Sequence, residues 1–404
     1  MDSIKVRGES ALESRTNSAT AALRVLFYLF FPGGGIGRYT HELLQQFATG
    51  DDVLTELACL PAYHWREAAS YPVWPHLRPI GHPVAWRRRL RFLIGQFVSP
   101  RRALRYAAQT RADVIHFSSF NHLTFPYWKR MVSSSRPKIV ATAHDVRRRV
   151  AMINRRFEDR QLQLFYQRAD ALFVHSRSQA EDLMDFARLD GSRIHIVPHG
   201  PYDYGPPTAS REVLRTKYGL PQDKVVALSF GLIRDEKNLG HLLQALPRFK
   251  ESLHLLVAGT GDTTGHKSLE YYRELAQSLG IESAVTFLGR YIPDSEVPDL
   301  FEACDWVAMP YSRSFTSQSG VLNVAVSYNR PLLTTRAPTF AETLDGLDVG
   351  VMVEPDSVDA LTEGIATLHA QIGEGRSYAF DEYRSRFSWA ENARRTAAVY
   401  RSVL

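Results

Sequence analysis

"RVLFYLFFPGGGIGRYTHELLQQF", Arg24–Phe47, joins an apolar run to a helix-length one through a turn with glycine at positions 33, 34, 35 and 37. The first run lacks the polar alternation of a half-exposed strand, so it reads as a strand buried on both faces. A strand, a tight glycine turn and a helix starting near Ile36 make the opening of a βαβ unit. The start of that helix, with free N–H groups and partial positive charge, suits an anion. A plain tight turn is the alternative at this point.

Two common phosphate loops fail on spacing. The dinucleotide fingerprint G-x-G-x-x-G needs a third glycine where Arg38 stands, and "VLTELACLPAYHW" ends without the acid that would hold a ribose. No Lys-Ser/Thr pair follows the glycines, as a P-loop would require. A nicotinamide-dependent oxidoreductase is therefore disfavoured.

The same alternation of short apolar runs and amphipathic segments continues along all 404 residues. Strands are expected at "VLTELACL", "DVIHFSS", "KIVATA", "ALFVHS" and "RIHIVP", then at "KVVALSFG", "LHLLVAG", "AVTFLG", "DWVAMP", "RPLLTT" and "VGVMVE". Between the two sets lies "HGPYDYGPPTASRE", rich in Pro and Gly and without periodicity. The expected architecture is α/β: two doubly wound, Rossmann-like domains facing across a cleft, at residues 21–200 and 213–385. The linker is placed at 201–212. Ligands of such sheets sit at the carboxyl ends of the strands, so a ligand shared across the cleft is expected. Residues 1–20 are polar and lack an apolar signal core, and read as a disordered tail.

Two cysteines, Cys59 and Cys304, offer neither a disulfide framework nor a cysteine-rich metal site. They fit a reducing cytoplasm. The longest uncharged apolar run, Val25 to Ile36, is too short to span a bilayer. The net charge of +6 is uneven: from Ala68 to Ala112 there are nine arginines and no acid. Within this tract "WRRRLRFLIGQFV" sets Trp86, Leu90, Leu93, Ile94 and Phe97 at helical spacing, with Arg87, Arg88 and Arg91 largely opposite. Such a helix either packs on the core with a wet basic face or lies in an anionic membrane interface, with Trp86, Arg87, Arg88 and Arg91 as contacts. No aromatic stacking platform accompanies the arginines, which disfavours nucleic acid.

The second half carries the discriminating chemistry. In "ALSFGLIRDEKNLGHLLQAL" a strand ends at Gly231, and Arg234 and Lys237 follow close on a turn, placed to clamp a diphosphate. Glu236 beside them is most simply a surface charge. In "PYSRSFTSQSGVLNVAVSYNRPLLTT" the segment Ser317-Gln318-Ser319-Gly320 leads into a helix, with Ser319 as N-cap. His116, His175 and His195 fall inside strand-like runs without metal-ligand spacing, and His199 belongs to the hinge.

These phrases, with "ATAHDV", "ADALFVHSRSQAEDL", "LLVAGTGD", "VTFLGRYIPDSEVPDLFEACDWVAMPY" and "FSWAENARRTAAVY", stand in an order that resembles family 4 of the retaining glycosyltransferases. That family has the GT-B fold and moves a sugar from a nucleotide diphosphate. The resemblance implies that Arg234 and Lys237 neutralise the leaving diphosphate and that Ser319, Gly320 and Val321 hold it with backbone N–H groups. Gly34, Gly35 and Ile36 would bring the first domain's loop to the same donor. It further implies that Gly289, Arg290 and Tyr291 border the nucleobase, that His144 lies beside the transferred sugar and that Asp145 shapes the acceptor side. The helix at 386–404 would cross back to the first domain. No cofactor or metal is expected; the implied partners are the nucleotide sugar and a glycan, glycolipid or polyprenyl-linked acceptor at the inner membrane face.

One departure stands out. Many members carry two glutamates eight positions apart where this chain has Thr316 and Val324. A subset resembles this chain in having a Ser-Gln-Ser-Gly segment there instead. The alternative function is a degenerate sugar-nucleotide-binding or scaffolding protein.

Overall fold

The computed structural model describes residues 22–31, 33–50, 52–132, 137–147, 154–261 and 265–404; the tail expected at 1–20 lies outside them. The first sheet is wholly parallel, in the order β3-β2-β1-β4-β5-β6-β7. Its strands are β1 (Leu23–Leu29), β2 (Val53–Cys59), β3 (Val73–Trp74), β4 (Val114–Phe117), β5 (Lys138–Thr142), β6 (Ala171–Val174) and β7 (Ile194–Ile196). The second sheet, also parallel, runs β10-β9-β8-β11-β12-β13. It contains β8 (Val225–Phe230), β9 (Leu253–Ala258), β10 (Val285–Leu288), β11 (Trp306–Met309), β12 (Leu332–Thr335) and β13 (Gly350–Val353). The strand order reverses between β1 and β4 and again between β8 and β11, so each domain offers a crevice at its switch point. Every strand expected from sequence is present; the edge strand β3, two residues long, carries too little pattern to be seen in advance.

The unbroken apolar run of β1 has a physical cause. Val25, Phe27 and Leu29 face one core, with Leu43, Leu44 and Phe47 of the Gly34–Phe47 helix. Leu26, Tyr28 and Phe30 face the other, with Leu104 and Phe165 from helices Ala85–Gln109 and Arg155–Arg168. Each fully buried aromatic side chain here contributes about 2–3 kcal/mol through area removed from water.

The segment expected as a linker is a packed strap. Tyr202 is 3% exposed, and the Tyr204 N–H donates to the Tyr328 hydroxyl at 3.1 Å. Arg38 reaches it from the first domain, donating to the Asp203 carbonyl at 2.6 Å and lying over the Tyr204 ring. The last helix, Trp389–Ser402, begins with Ser388 accepting from the Glu391 N–H, and it packs on the Gly34–Phe47 helix. There Asn392 Nδ2 donates to the Tyr39 hydroxyl at 2.9 Å and to the Pro198 carbonyl at 2.6 Å.

Candidate functional site

The glycine turn after β1 resolves into distinct roles. A Cβ on Gly33 would collide with the His64 imidazole, and one on Gly37 would lie 2.8 Å from Trp65 Cζ3. Gly34 has φ +77°, which favours glycine. Gly35 has nothing within 4 Å of a built Cβ, so its bareness is not required by packing. It opens instead on a cavity of ≈ 460 Å³ between the domains. The helix that starts here has no side-chain cap, which leaves first-turn N–H groups for another acceptor.

The cavity's opposite wall comes from the second domain. Past β8, Gly231 turns the chain at φ +90°, and the Lys237 ammonium folds back to donate to the Phe230 carbonyl at 3.1 Å, above the Tyr311 ring. Arg234 lines the same space. Ser319 occupies the N-cap position of helix Gly320–Ser327, yet its hydroxyl makes no cap bond and lies 3.4 Å from the Tyr311 hydroxyl. A second uncapped helix start, at Gly320 and Val321, thus borders the cavity. Gly35, Ile36, His144, Asp145, Arg234 and Lys237 share this lining with Ser319, Gly320 and Val321.

Four expected residues are not in that lining. Gly34 is one turn residue away from it. Gly289, Arg290 and Tyr291 are exposed at the carboxyl end of β10. There Arg290 forks onto Glu296 at 2.8 and 2.5 Å, and a Cβ on Gly289 would strike Leu269.

A second cavity of ≈ 430 Å³ lies over the ends of β4 and β5, walled by Phe31, Ser118, Ser119, Phe120 and His122. Ile36, His144, Asp145 and Arg234 line both cavities, so the two meet there. The His144 ring packs against Tyr39 and His175. Burial first, and then His175, His199 and His116, hold its pKa well below the ordinary imidazole value. It is therefore neutral at pH 7, offering a hydrogen-bonding nitrogen and no charge.

Glu236 is not a surface charge. Its side chain is 9% exposed, with the Arg234 guanidinium at 3.6 Å and His266 Nδ1 at 3.9 Å. It lines the second cavity and, with Thr316, a third recess. A carboxylate therefore shares a recess with Thr316, the residue at the first missing glutamate's position. Thr316 itself is exposed, and Val324, at the second glutamate position, is buried in the wall of the first cavity. Adjacency to Arg234 and Lys237 was the one signal that could have marked Glu236 in advance.

The domains are stitched together beside these cavities. The Ser317 hydroxyl bonds the Asp145 carboxylate. Gln179 Nε2 donates to the carbonyls of His144 at 3.2 Å and Thr316 at 3.4 Å. The Glu342 carboxylate, from the second domain, accepts from the N–H groups of Arg177 and Ser178, at the start of helix Arg177–Ala187 in the first. These partners were invisible to sequence reasoning because they lie up to 172 positions apart.

The Trp86 helix is also settled in one respect. Trp86, Leu90 and Leu93 are 61%, 47% and 53% exposed, while Gly95, Gln96 and Ser99 face inward. Those three residues of the apolar stripe point to solvent, whereas Ile94 and Phe97 are half-buried and Phe97 packs on Tyr127. Among the described residues, no helix is long and apolar enough to cross a membrane.

Comparison with known structures places the architecture. HepE of Anabaena, solved in complex with UDP and glucose, superposes with TM-score 0.71 at 17% identity, covering 94% of this chain and 100% of that one. Sucrose-phosphate synthase from Thermosynechococcus elongatus gives 0.71 at 16% identity over 94% and 99%. The fold is GT-B. A family model described as Glycosyltransferase Family 4 matches residues 33–201, and one described as Glycosyl transferases group 1 matches 224–371. The chain belongs to the family 4 glycosyltransferases. Among curated proteins it is similar to the D-inositol 3-phosphate glycosyltransferases of Corynebacterium glutamicum (26% identity over 58% of each chain) and Mycolicibacterium smegmatis (29% over 57% of this chain and 52% of that one). The chain spans about half the length of these relatives.

Proposed function

We propose that this protein transfers a sugar, with retention and without a metal, from a nucleotide diphosphate to a hydroxyl of a glycan or lipid-linked acceptor at an anionic membrane surface. The observation that carries the reading is the meeting of two cavities at Ile36, His144, Asp145 and Arg234. Breaking the sugar–phosphate bond builds positive charge on the ring and negative charge on the diphosphate. Arg234, Lys237 and two uncapped helix starts are fixed where that negative charge grows, and such preorganised groups lower the barrier without reorganising. The acceptor oxygen enters from the second cavity as the diphosphate leaves. HepE binds UDP-glucose in its own structure, which makes a uridine donor the first to try.

The outward stripe of Trp86, Leu90 and Leu93, ringed by arginines, supports the membrane part. Phe92, on the same helix, touches Phe30, and Phe30 touches Phe31 of the acceptor-side cavity, so an apolar path joins surface and site.

The test is a melting and turnover screen with UDP-glucose, UDP-galactose, UDP-N-acetylglucosamine, GDP-mannose and ADP-glucose. At least one should raise the melting temperature and be hydrolysed or transferred, with rate unchanged by EDTA. Removing a single charge-stabilising donor costs roughly 10²–10³ in rate, so Lys237→Ala should lose about that much. The absence of the paired glutamates favours one rival, a binding protein without turnover; stabilisation with no hydrolysis or transfer would establish it. For the membrane, flotation with phosphatidylglycerol vesicles should succeed for the wild type and fail for Arg87, Arg88 and Arg91 changed together to Ser. Unchanged flotation would remove that helix as the anchor.

A further inference from the structure

We propose that Gln318 reads a hydroxyl of the transferred sugar through its side-chain amide, as the second domain's counterpart of His144. This rests on the reading of the inter-domain cavity as a nucleotide-sugar site. Both residues line that cavity. Among the described residues, Gln318 Nε2 and His144 Nε2 are buried and have no hydrogen-bond partner. A buried polar atom without a partner is costly, and such atoms in a binding site point to a ligand that satisfies them. Here two of them belong to residues that line one space from opposite domains.

The backbone explains why they converge. Ser317, next to Gln318, bonds Asp145, next to His144. Gln179 ties the His144 and Thr316 carbonyls together from one amide. The loop after β5 and the loop before helix Gly320–Ser327 are thereby held side by side, and the two unpartnered nitrogens come with them. The cations Arg234 and Lys237 and the helix start at Gly320 already match a diphosphate. A neutral amide and a neutral imidazole match uncharged hydroxyls, since each can donate to or accept from an O–H group. With Thr316 exposed and Val324 apolar, Gln318 supplies polar recognition from the stretch where glutamates are missing. An amide that donates, in place of a carboxylate that only accepts, also changes which hydroxyl orientation is preferred.

The experiment compares, by calorimetry, the nucleotide sugar giving the largest wild-type melting shift in the screen with its free nucleoside diphosphate. Gln318→Ala and the near-isosteric Gln318→Met should each weaken the nucleotide sugar about tenfold, the effect of one lost hydrogen bond to a ligand, and leave the diphosphate within about twofold. Gln318→Glu, which keeps an acceptor and loses the donor, should fall with them. Equal weakening of both ligands would overturn the proposal, because the residue would then act on the phosphates or the helix start. No weakening of either would overturn it as well. If the wild type binds the diphosphate and no nucleotide sugar more tightly, Gln318 has no sugar to read and the proposal falls alone; if it binds neither, the donor-site reading falls with it.

Discussion

Four glycines in one turn do different work, and the difference is measurable. Gly33 and Gly37 are bare because His64 and Trp65 occupy the space a methyl group would take, whereas Gly35 is bare toward the cavity. Gly37→Ala should therefore lower the melting temperature, at a cost of about 1–3 kcal/mol for overpacking. Gly35→Ala should leave stability within about 0.5 kcal/mol, typical of an exposed site, and weaken nucleotide-sugar binding. Thermal melts with and without the nucleotide sugar separate the two effects. Lys237 and Arg234 were legible from their place after a strand. Glu236 was not, because a lone acid beside a lysine has the pattern of any solvated turn until Arg234 and His266 are seen against it.

At the scale of elements, the C-terminal helix shows how a distant segment is held. Its Asn392 side chain is fully buried and bonds Tyr39, Pro198 and Thr396. Asn392→Leu leaves the Tyr39 hydroxyl and the Pro198 carbonyl buried without that donor. The expected loss is about 2–4 kcal/mol, read by urea denaturation. The Trp86 helix shows the reverse case. Its periodicity and its run of arginines were plain in the sequence, but the face that turns outward depends on what Gly95, Gln96 and Ser99 pack against. Gly95 allows the helix to approach Phe30 and Ile80, and this contact directs Trp86, Leu90 and Leu93 to solvent.

For the whole molecule, closure and pH response follow from the same junction. Glu342 holds the start of helix Arg177–Ala187 across the cleft, a carboxylate at the positive end of a helix. Glu342→Ala should open the domains, seen as a larger radius of gyration in small-angle scattering that a bound nucleotide sugar reverses. Around the hinge, burial pushes His175 down to about 4 and His116 and His199 down to about 3. The unfolded chain, with imidazoles near 6.5, binds more protons than the folded one below that value. Stability is thus complete above about pH 6.5 and should fall as pH drops toward 3–4. Thermal melts between pH 7 and 4.5 should show the decline, and His175→Gln should make it shallower.

The sequence by itself determined the two sheets, their helices and the cations at the second domain's strand ends. Those features depend on local periodicity and on short strand–turn–helix units, in which neighbours in the chain are neighbours in space. Only the tertiary structure decided how the halves meet. The Asp145–Ser317 bond, the Gln179 bridge and the Glu342 cap join residues far apart in the chain, and they bring Gln318 and His144 to one cavity. No local pattern encodes such pairs, because the energy that selects them appears only when two complete domains are packed together.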